Sequence, residues 1–454
     1  MSAYHCELAW LGGDTATADV LVETDGDRIT AVTPGAVAPA GAVRLRGLTL
    51  PGFANAHSHA FHRALRGRTQ RDAGSFWTWR EQMYGLAQVL DPDSYHDLAR
   101  AVYGEMALAG VAAVGEFHYL HHDGDGRPYA DPNAMGAALV AAAHDAGIRI
   151  TLLDTCYLHG GIAHDGSGVA PHGVQTRFTD GTAHAWRERA SDATSLESAT
   201  VRVGAAVHSV RAVDPDSIEV VAAWADARNA PLHAHVSEQP AENAQCREAF
   251  ALTPTELLHE RGALGERFTA VHATHLTDHD VHLLGSQRAC VCMCPTTERD
   301  LADGIGPAAR LVDAGASLSL GSDSHAVIDL FEEARAVELD ERLASQQRGN
   351  LGTDALLRAA TVDGHRSIGW SDAGVIAAGM HADLVTVRLD SVRTAGGGAA
   401  DAIHTAVFAA TAADIAHVVV GGRVVVRDGV HTSIDVPADL SRTIGELHRR
   451  RADL

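Results

Sequence analysis

The 454-residue sequence contains no lysine, so all 36 of its basic residues are arginines. Without lysine the chain cannot form catalytic Schiff bases, attach pyridoxal phosphate, or place the lysine of a P-loop on a nucleotide phosphate. Cysteine is also scarce, and the six present are too few and too unevenly spaced for a disulfide framework in a chain of this length. We therefore expect reduced thiols and a cytoplasmic protein.

The chain has an excess of negative charge, because it contains 58 acidic and 36 basic residues, which give a formal net charge of −22. Such a field repels nucleic acid and anionic membrane surfaces, and an anionic substrate needs arginines placed at its binding site. We find neither an apolar run long enough to span a bilayer nor a basic and apolar leader segment. The sequence thus predicts a globular protein whose partners include neither nucleic acid nor membrane.

Half of the cysteines alternate within one short segment, as Cys290, Cys292 and Cys294. Thiolate ligands of zinc usually need two or more residues between them, so this spacing disfavours a metal site. Small apolar side chains at every second position are typical of one face of a buried strand. We interpret these three cysteines as core residues.

Eight short segments rich in β-branched or apolar residues recur along the chain, and each ends in polar residues. They are 48–59, 111–119, 148–157, 201–209, 231–238, 268–274, 289–295 and 317–324. Between most of them lie Ala- and Leu-rich stretches with helical spacing that end at Gly or Asn, as helices tend to. Eight strand–helix units in series predict an α/β protein with a parallel (β/α)8 barrel, in which catalytic groups lie where the strands end.

The two chain ends are predicted to form a second, smaller domain. Residues 18–33 and 417–430 each have the pattern of a hairpin with Asp-Gly or Gly-Gly at the turn, and 381–389 adds a further strand. Together they indicate a small β-sandwich domain assembled from both termini. The predicted boundaries are 1–48 and 376–454 for this domain, with a C-terminal helix in its second part, and 49–375 for the barrel. Within the barrel, 158–200 is long enough to include a lid or rim loop.

Polar side chains with catalytic chemistry fall at the carboxyl ends of the predicted barrel strands. They are His57, His59, His118, Tyr119, His208, His235, Glu238, His272 and Asp323. Because the carboxyl ends of the strands in one parallel barrel meet at the same face, these residues predict one shared site.

Three histidines and one aspartate of this set predict a metal centre. His57 and His59 occupy positions i and i+2 of one strand, so both imidazoles point towards the barrel interior. His235 supplies a third imidazole, and Asp323 supplies an anionic ligand. This set suits Zn²⁺ or Fe²⁺ with a position open for water, which such a cation activates at neutral pH. The predicted chemistry is hydrolysis.

Longer stretches of the sequence resemble the amidohydrolase superfamily and, within it, the formimidoylglutamate deiminases of bacterial histidine degradation. They are PGFANAHSHAFHRAL, SFWTWREQMY, VGEFHYLHHD, AVHSVRAV, HAHVSEQ, VHATHL, CPTTERDLADGI and GSDSH, and the resemblance covers nearly the whole chain. The resemblance implies a homodimer that hydrolyses N-formimino-L-glutamate, a small dicarboxylate, to N-formyl-L-glutamate and ammonia. Many two-metal members bridge their ions with a carboxylated lysine, which this chain lacks. We therefore expect one divalent ion, zinc in preference to iron.

The resemblance also implies roles for individual residues. Glu238 is the expected proton shuttle, Asp323 is a metal ligand that accepts the second proton, and His272 polarises the tetrahedral centre. The expected contacts to the substrate are Arg80, Tyr119, His208 and Arg211. The family usually has glutamine three residues after the second metal-binding histidine, where this chain has His62. His62 is kept as a candidate substrate contact that donates one hydrogen bond.

Two other functions fit the residues less well, and a third fits them equally. One is another deaminase of the superfamily, acting on guanine, cytosine, adenosine or a chlorotriazine, whose flat rings need stacking groups more than paired arginines. A second is a non-catalytic scaffold, which the complete ligand set disfavours. A third is hydrolysis of the other carbon–nitrogen bond, which gives glutamate and formamide. The residues alone do not choose between these leaving groups.

Both candidate substrate-binding arginines have a structural alternative. Arg80 follows two tryptophans, so a stacked surface arginine is a competing interpretation. Arg211 has Asp214 and Asp216 close in sequence as competing ion-pair partners. The position of each guanidinium group in the folded protein separates these interpretations.

Overall fold

The computed structural model describes residues 2–70, 74 and 76–453, so Ser75 of the tryptophan-rich stretch and both terminal residues of the predicted β domain lie outside the described residues. The strands, in chain order, are β1 (Ser2–Ala9), β2 (Thr17–Asp25), β3 (Arg28–Thr33), β4 (Val43–Pro51), β5 (Phe53–Ser58), β6 (Val111–His118), β7 (Arg149–Cys156), β8 (Gly161–Ile162), β9 (Gly168–Val169), β10 (Val201–Val207), β11 (Leu232–Val236), β12 (Phe268–His272), β13 (Cys290–Met293), β14 (Ser317–Leu320), β15 (Leu384–Val387), β16 (Ile415–Val420), β17 (Arg423–Arg427) and β18 (Val430–His431). The helices are α1 (Phe76–Ala87), α2 (Pro92–Leu108), α3 (Ala134–Ala146), α4 (Ala183–Ala193), α5 (Pro215–Arg228), α6 (Pro240–Phe250), α7 (Pro254–Glu260), α8 (Asp278–Ser286), α9 (Pro295–Asp300), α10 (Ala308–Ala314), α11 (Leu330–Ser345), α12 (Thr353–Ala360), α13 (Val362–Ser367), α14 (Ala402–Ala409) and α15 (Val436–Ala452).

Eight of these strands form a parallel sheet that curves into a nearly closed barrel, in the order β5, β6, β7, β10, β11, β12, β13, β14. The first and last strands meet through a parallel bridge between Ser58 and Asp323, where Asp323 N donates to the His57 carbonyl over 3.0 Å. Every residue of β5, β6 and β7 is buried, as expected for parallel strands covered on both faces. The predicted (β/α)8 barrel is confirmed.

Local sequence signals set the ends of the helices around the barrel. Asp91 and Ser94 form a reciprocal capping box at the start of α2. Asp214 caps α5 by accepting a hydrogen bond from Ser217 N, and the residue after its last turn is Asn229, whose φ of 53° lies in the left-handed region. These caps define where each helix begins and ends. They therefore also define where the next strand begins, and so which of its residues lie at the carboxyl face of the barrel.

The first predicted barrel strand, 48–59, is divided between two sheets. β4 pairs with β1 and β15 outside the barrel, and β5 begins the barrel at Phe53. Gly52 makes the junction, where an added Cβ would lie 2.6 Å from the Ala112 Cβ. Hydrophobic pattern alone does not locate this junction, because both strands are continuous buried runs on either side of it.

Both chain ends build the second sheet, in the order β18, β17, β16, β15, β4, β1, β2, β3. The two predicted hairpins are present as β2–β3 and β16–β17, and Gly421 and Gly422 form the second turn with φ of 55° and 69°. This sheet has a core of its own, which includes Tyr4, Val20 and Leu384. The prediction that both termini assemble a separate sheet outside the barrel is confirmed.

A buried ion pair fastens the second sheet to the amino-terminal face of the barrel. Arg149, the first residue of β7, donates from Nε to Asp383 Oδ2 over 3.0 Å and from Nη2 to Asp383 Oδ1 over 3.2 Å. Both side chains are 1 % exposed. Asp383 Oδ1 also accepts a hydrogen bond from Gly421 N over 2.7 Å, so the pair joins the barrel to the hairpin turn.

Two added segments cover the opposite, carboxyl face of the barrel. α1 follows β5, and the small β8–β9 hairpin follows β7 within the region predicted to contain a lid or rim loop. The C-terminal helix α15 supports α1, because Arg451 Nη2 donates to Gln82 Oε1 over 2.7 Å. Among the described residues, no helix has the length and apolar character needed to cross a membrane.

Candidate metal centre and substrate cavity

Four predicted metal ligands meet at the carboxyl ends of β5, β11 and β14. His57 Nε2 lies 3.3 Å from Asp323 Oδ1 and 3.2 Å from His235 Nε2. His59 Nε2 lies 3.5 Å from the same carboxylate oxygen. No member of the group is more than 7 % exposed. We call these four residues the metal end of the site.

Backbone carbonyl groups orient two of the imidazoles. His59 Nδ1 donates to the Phe117 carbonyl over 3.0 Å, and His235 Nδ1 donates to the His208 carbonyl over 2.8 Å. A carbonyl oxygen can only accept, so the proton of each neutral ring lies on Nδ1. The lone pair of Nε2 in each ring therefore points towards the centre of the group, as in metal-binding histidines.

The protonation states of the metal end fit a divalent cation. Burial lowers the pKa of His57, His59 and His235, so the three imidazoles are neutral and offer lone pairs. Burial alone would raise the pKa of Asp323, but the hydrogen bond from His57 and the surrounding imidazoles hold it well below its usual value. Three neutral imidazoles and one carboxylate are a donor set for zinc or a similar ion.

A second group of potential ligands, His272, Cys294 and Glu298, has its donor atoms within 4.8 Å of one another. Burial raises the pKa of the Cys294 thiol well above its usual value, so the thiol stays protonated. Burial therefore disfavours a metal ion in this group, because the thiolate is the form that binds metals. Cys290 and Cys292 are also buried and free, which confirms the interpretation of the alternating cysteines as core residues.

The three predicted catalytic residues lie side by side. His272 Nε2 is 3.8 Å from Glu238 Oε1 and 3.8 Å from Asp323 Oδ2. On the other side of the ring, His272 Nδ1 lies 3.4 Å from Glu298 Oε1. The same Glu298 oxygen accepts a hydrogen bond from Cys294 N over 2.9 Å, so Glu298 is itself fixed and orients the imidazole.

The pKa values of Glu238 and His272 are both raised from their ordinary values. Burial raises the pKa of Glu238, although the charges of His272 and Arg211 oppose this shift. Burial alone would lower the pKa of His272, but the carboxylates of Glu238, Asp323 and Glu298 raise it well above its usual value. A carboxyl group with a raised pKa beside a basic imidazole can take up and release a proton at the working pH of an enzyme.

Unusual backbone conformations mark the same strand ends. Ser237, His272 and Asp323 have φ of 52°, 68° and 40°, in the left-handed region that residues other than glycine seldom adopt. Such conformations cost about 1–3 kcal/mol each and concentrate at functional sites, where the surrounding structure holds them. At His272 and Asp323 this backbone carries the side chains that face each other.

A buried hydrogen-bond network lies behind the metal end. Glu116 accepts hydrogen bonds from Ser58 Oγ over 2.5 Å and from Ala60 N over 2.6 Å. Ser58 Oγ also lies 3.2 Å from His325 Nε2, and His325 Nδ1 lies 2.9 Å from Ser322 Oγ. Since Ser58 and Ser322 are adjacent in sequence to predicted metal ligands, the network fixes the backbone that carries those ligands.

A cavity of about 280 Å³ opens above the metal end, at the carboxyl face of the barrel. The predicted site residues that line it are His59, His62, Arg80, Tyr119, His208, Arg211, His235, Glu238, His272 and Asp323. His57 lies behind this surface and is fully buried. The structure therefore brings the predicted catalytic, substrate-binding and metal-binding residues to a single place.

Arg80 reaches the cavity from α1. Its guanidinium carbon lies 4.4 Å from the centre of the Trp77 ring and 5.5 Å from the centre of the Tyr84 ring. Arg80 is therefore stacked on aromatic rings, which was the alternative to a binding role. It nevertheless also lines the cavity. Stacking on aromatic rings leaves the edge of a guanidinium group available for hydrogen bonds.

Arg211 enters the cavity from the segment between β10 and α5 and is only 13 % exposed. Its Nη2 lies 3.7 Å from Glu238 Oε2, and its Nε lies 3.8 Å from Glu242 Oε2. Asp214, a competing partner, instead caps α5 and lies 3.1 Å from His159 Nε2. We call Arg80 and Arg211 the arginine end of the cavity.

His62, which stands where the family has glutamine, also contributes to the cavity wall. Its Nε2 lies 3.1 Å from the Tyr119 hydroxyl, and its ring centre lies 4.5 Å from that of His59. Burial lowers the pKa of His62 to about 3, so the ring is neutral. A neutral imidazole here can hydrogen-bond without adding charge beside the metal end.

The family of the protein follows from comparison with known proteins. The model of the amidohydrolase family matches residues 48–425, which is most of the chain. The chain belongs to the amidohydrolase family. It is 37 % identical to the formimidoylglutamate deiminase of Pseudomonas aeruginosa, over 98 % of this chain and 100 % of that protein. It is 28 % identical to the 5-methylthioadenosine/S-adenosylhomocysteine deaminase of Natronomonas pharaonis, over 93 % of this chain and 91 % of that protein.

The fold of this amidohydrolase also has solved relatives. A crystal structure of an amidohydrolase from Brucella melitensis superimposes with a TM-score of 0.91 and 30 % sequence identity, covering 99 % of this chain and 100 % of the other. The expected membership of the amidohydrolase superfamily is confirmed. The protein is a hydrolase that acts on carbon–nitrogen bonds.

Sequence reasoning missed several residues in the cavity of this amidohydrolase, namely Trp77, Trp79, Met83, Tyr84, Tyr157, His159 and Gln245. Five of them had a usable signal, because Trp77, Trp79, Met83 and Tyr84 lie in the stretch SFWTWREQMY and Tyr157 ends the third predicted barrel strand. Glu242 had none, since it lies within a helix and reaches Arg211 only in the folded chain. Glu298 lies in the stretch CPTTERDLADGI, but its contact with His272 also forms only in the folded chain.

Proposed function

We propose that this amidohydrolase hydrolyses the formimino group of N-formimino-L-glutamate and releases N-formyl-L-glutamate and ammonia. The observation that carries the proposal is the presence of two guanidinium groups, Arg80 and Arg211, in the same cavity as Glu238. The substrate has two carboxylates, and the planar guanidinium fork pairs with a carboxylate through two hydrogen bonds. A protein of net charge −22 needs such local positive charge to hold a dicarboxylate.

A single divalent ion, zinc in preference to iron, is part of the proposal. The metal end would hold it, since three neutral imidazoles and one carboxylate are typical zinc ligands. When bound there, the ion supplies the Lewis acidity that makes water a nucleophile at neutral pH. The absence of lysine supports one ion over two, because the chain cannot form a carboxylated lysine bridge.

The protein's own groups move the protons in this proposal. Glu238 takes a proton from water as the oxygen adds to the formimino carbon, and passes it to the imino nitrogen. His272, whose pKa is raised by the neighbouring carboxylates, donates a hydrogen bond to the oxygen of the tetrahedral adduct. Asp323 accepts the remaining hydroxyl proton as the carbonyl forms. The carbon–nitrogen bond then breaks, and the nitrogen leaves as ammonia once it has received that proton.

Deamination of a purine nucleoside is the second candidate function. Aromatic side chains that suit a flat ring, among them Trp77, Trp79 and Tyr157, line the cavity. Two guanidinium groups facing the same cavity favour the dicarboxylate, because a neutral purine offers no anionic group to pair with them. The higher identity to a formimidoylglutamate deiminase than to a nucleoside deaminase supports the same choice.

Ammonia release by the purified, zinc-treated protein tests the proposal. N-formimino-L-glutamate, 5′-methylthioadenosine and guanine are assayed in parallel, and the product of the first is identified by mass. We expect rapid ammonia release from N-formimino-L-glutamate alone, with N-formyl-L-glutamate as the product. Glutamate and formamide as products would assign hydrolysis to the other carbon–nitrogen bond. Release of ammonia from a purine alone would replace the proposal with the second candidate.

A further inference from the structure

Two tyrosines beside the arginine end have their hydroxyl groups held from behind by one glutamine. Gln175 Nε2 donates to the Tyr84 hydroxyl over 3.0 Å and to the Tyr157 hydroxyl over 3.2 Å. Both tyrosines line the cavity, whereas Gln175 is 1 % exposed and stays outside the cavity wall. The glutamine therefore contacts the phenols without competing for a ligand.

The orientation of the Gln175 amide is set by the backbone. Its Oε1 accepts a hydrogen bond from His172 N over 3.1 Å, at the start of the short helix 173–177. The amide nitrogen consequently faces the tyrosines and donates its two hydrogens to the two phenol oxygens. The base of the β8–β9 hairpin packs closely here, since an added Cβ at Gly160 would lie 2.8 Å from Gln175 Oε1.

The two phenol groups can still donate hydrogen bonds. Each hydroxyl has one hydrogen to donate, and each oxygen already accepts from Gln175. The hydroxyls are neighbours, because both oxygens lie within 3.2 Å of the same Gln175 nitrogen, so one hydrogen can bond the other phenol. At least one hydroxyl hydrogen remains for a ligand in the cavity.

Two guanidinium groups line the cavity together with these tyrosines. The guanidinium carbon of Arg80 lies 5.5 Å from the centre of the Tyr84 ring. The charges of both Arg211 and Arg80 act on the Tyr157 hydroxyl. Hydrogen-bond donors combined with guanidinium groups are the environment that binds carboxylates in proteins.

We propose that Tyr84 and Tyr157, positioned by Gln175, form a hydroxyl clamp that binds a substrate carboxylate beside Arg80 and Arg211. The clamp rests on the proposed function, because its ligand is one of the two carboxylates of N-formimino-L-glutamate. It also contributes to specificity, since a substrate without an acceptor at this position leaves buried donors unpaired.

Phenylalanine variants test the clamp without removing a ring. Glutarate, a dicarboxylate with no hydrolysable group, is titrated calorimetrically into the wild-type protein, Tyr84→Phe and Tyr157→Phe. We expect the Kd for glutarate to rise about 10-fold in each variant, the usual effect of losing a hydrogen bond to a charged group. In turnover of N-formimino-L-glutamate, KM rises by a similar factor while kcat changes by no more than about twofold.

Tyr4→Phe is a matched control, because it removes a hydroxyl that donates to the Gly422 carbonyl over 2.8 Å in the second sheet. It should leave both KM and the Kd for glutarate unchanged. A purely structural role of the phenols would lower the melting temperature and leave glutarate affinity unaltered. If Tyr157→Phe does not fold, Tyr84→Phe is sufficient for the test, because Tyr84 lies on the partly exposed helix α1.

The outcomes separate the clamp from the function on which it rests. Unchanged glutarate affinity in the folded variants, or no glutarate binding by the wild type, would overturn the clamp. Glutarate binding that depends on the tyrosines, in a wild-type protein that leaves N-formimino-L-glutamate intact, would support the clamp and reject the proposed function.

Discussion

The metal end and the arginine end of one cavity are built from different parts of the fold. Residues of the metal end lie on barrel strands or directly after them, and a buried network fixes their backbone. Arg80 belongs to α1, an added helix between two strands, and Arg211 to the segment between β10 and α5. The wall beside them includes the base of the β8–β9 hairpin. The barrel strands thus carry the predicted metal ligands, and the segments that connect the strands carry the residues proposed to bind the substrate.

This division has a physical reason. A barrel strand end is held by hydrogen bonds from both neighbouring strands, so a ligand placed there keeps its geometry. Connecting segments tolerate substitution and change of length, so recognition can vary without disturbing the chemistry below. We therefore expect variants at the metal end to change turnover and metal content, and variants at the arginine end to change substrate affinity.

The largest effect is expected from Asp323→Asn, which removes the anionic member of the metal end. Zinc content, measured by mass spectrometry of the purified protein, should fall, and kcat/KM should fall roughly 10⁴-fold or more because Lewis acidity is lost. Asp428→Asn is the control, since Asp428 is 82 % exposed in the second sheet. Full zinc content with full activity in Asp323→Asn would remove this residue from the metal end.

Glu238→Gln should have the next largest effect, because it leaves the shape of the site intact and removes the proton shuttle. We expect kcat to fall about 10²–10⁴-fold, with zinc content unchanged and little change in KM. Glu242→Gln is the matched comparison, since Glu242 is also buried, in α6, and its Oε2 lies 3.8 Å from Arg211 Nε. It should alter KM more than kcat. The reverse pattern in the two variants would contradict the division between the ends.

The metal end could be predicted from sequence because both of its signals are local. A buried strand has a recognisable run of apolar residues, and the polar residue that follows it marks the strand end. His57, His59, His235 and Asp323 all satisfy this rule, and the structure brings them together.

Other parts of the site depend on contacts that have no local pattern. Glu298 orients His272 from helix α9, and Gln175 holds two tyrosines from a short helix outside the barrel sheet. The left-handed backbone at His272 and Asp323 has no local sequence pattern that marks it, although histidine and aspartate adopt this region more often than most residues other than glycine. The division of 48–59 between two sheets could not be predicted from the sequence either, because it depends on which strands pair in the folded chain.

A smaller effect is expected at the arginine end, from Arg80→Leu. KM for N-formimino-L-glutamate should rise about 10–100-fold with kcat nearly unchanged, because a hydrogen-bonded charge pair with the substrate is lost. Arg80 is a cleaner test than Arg211, which also neutralises Glu238. Arg228→Leu is the matched control, because Arg228 also stacks on a tryptophan, at 5.3 Å from the Trp224 ring centre, but lies outside the cavity. A fall in kcat alone would place Arg80 in the chemistry.

The smallest effect on activity is expected from Asp383→Asn, at the amino-terminal face of the barrel. The substitution leaves the Arg149 guanidinium buried without its counter-charge, which should lower the free energy of unfolding by about 3–5 kcal/mol. Arg149 begins β7, whereas the cavity lies at the other end of that strand, so kcat and KM should stay at wild-type values at 25 °C. Urea unfolding and steady-state kinetics on the same preparation measure both quantities. A change in KM without loss of stability would show that this face also shapes the cavity, and the division of the molecule into a stabilising face and a catalytic face would then be wrong.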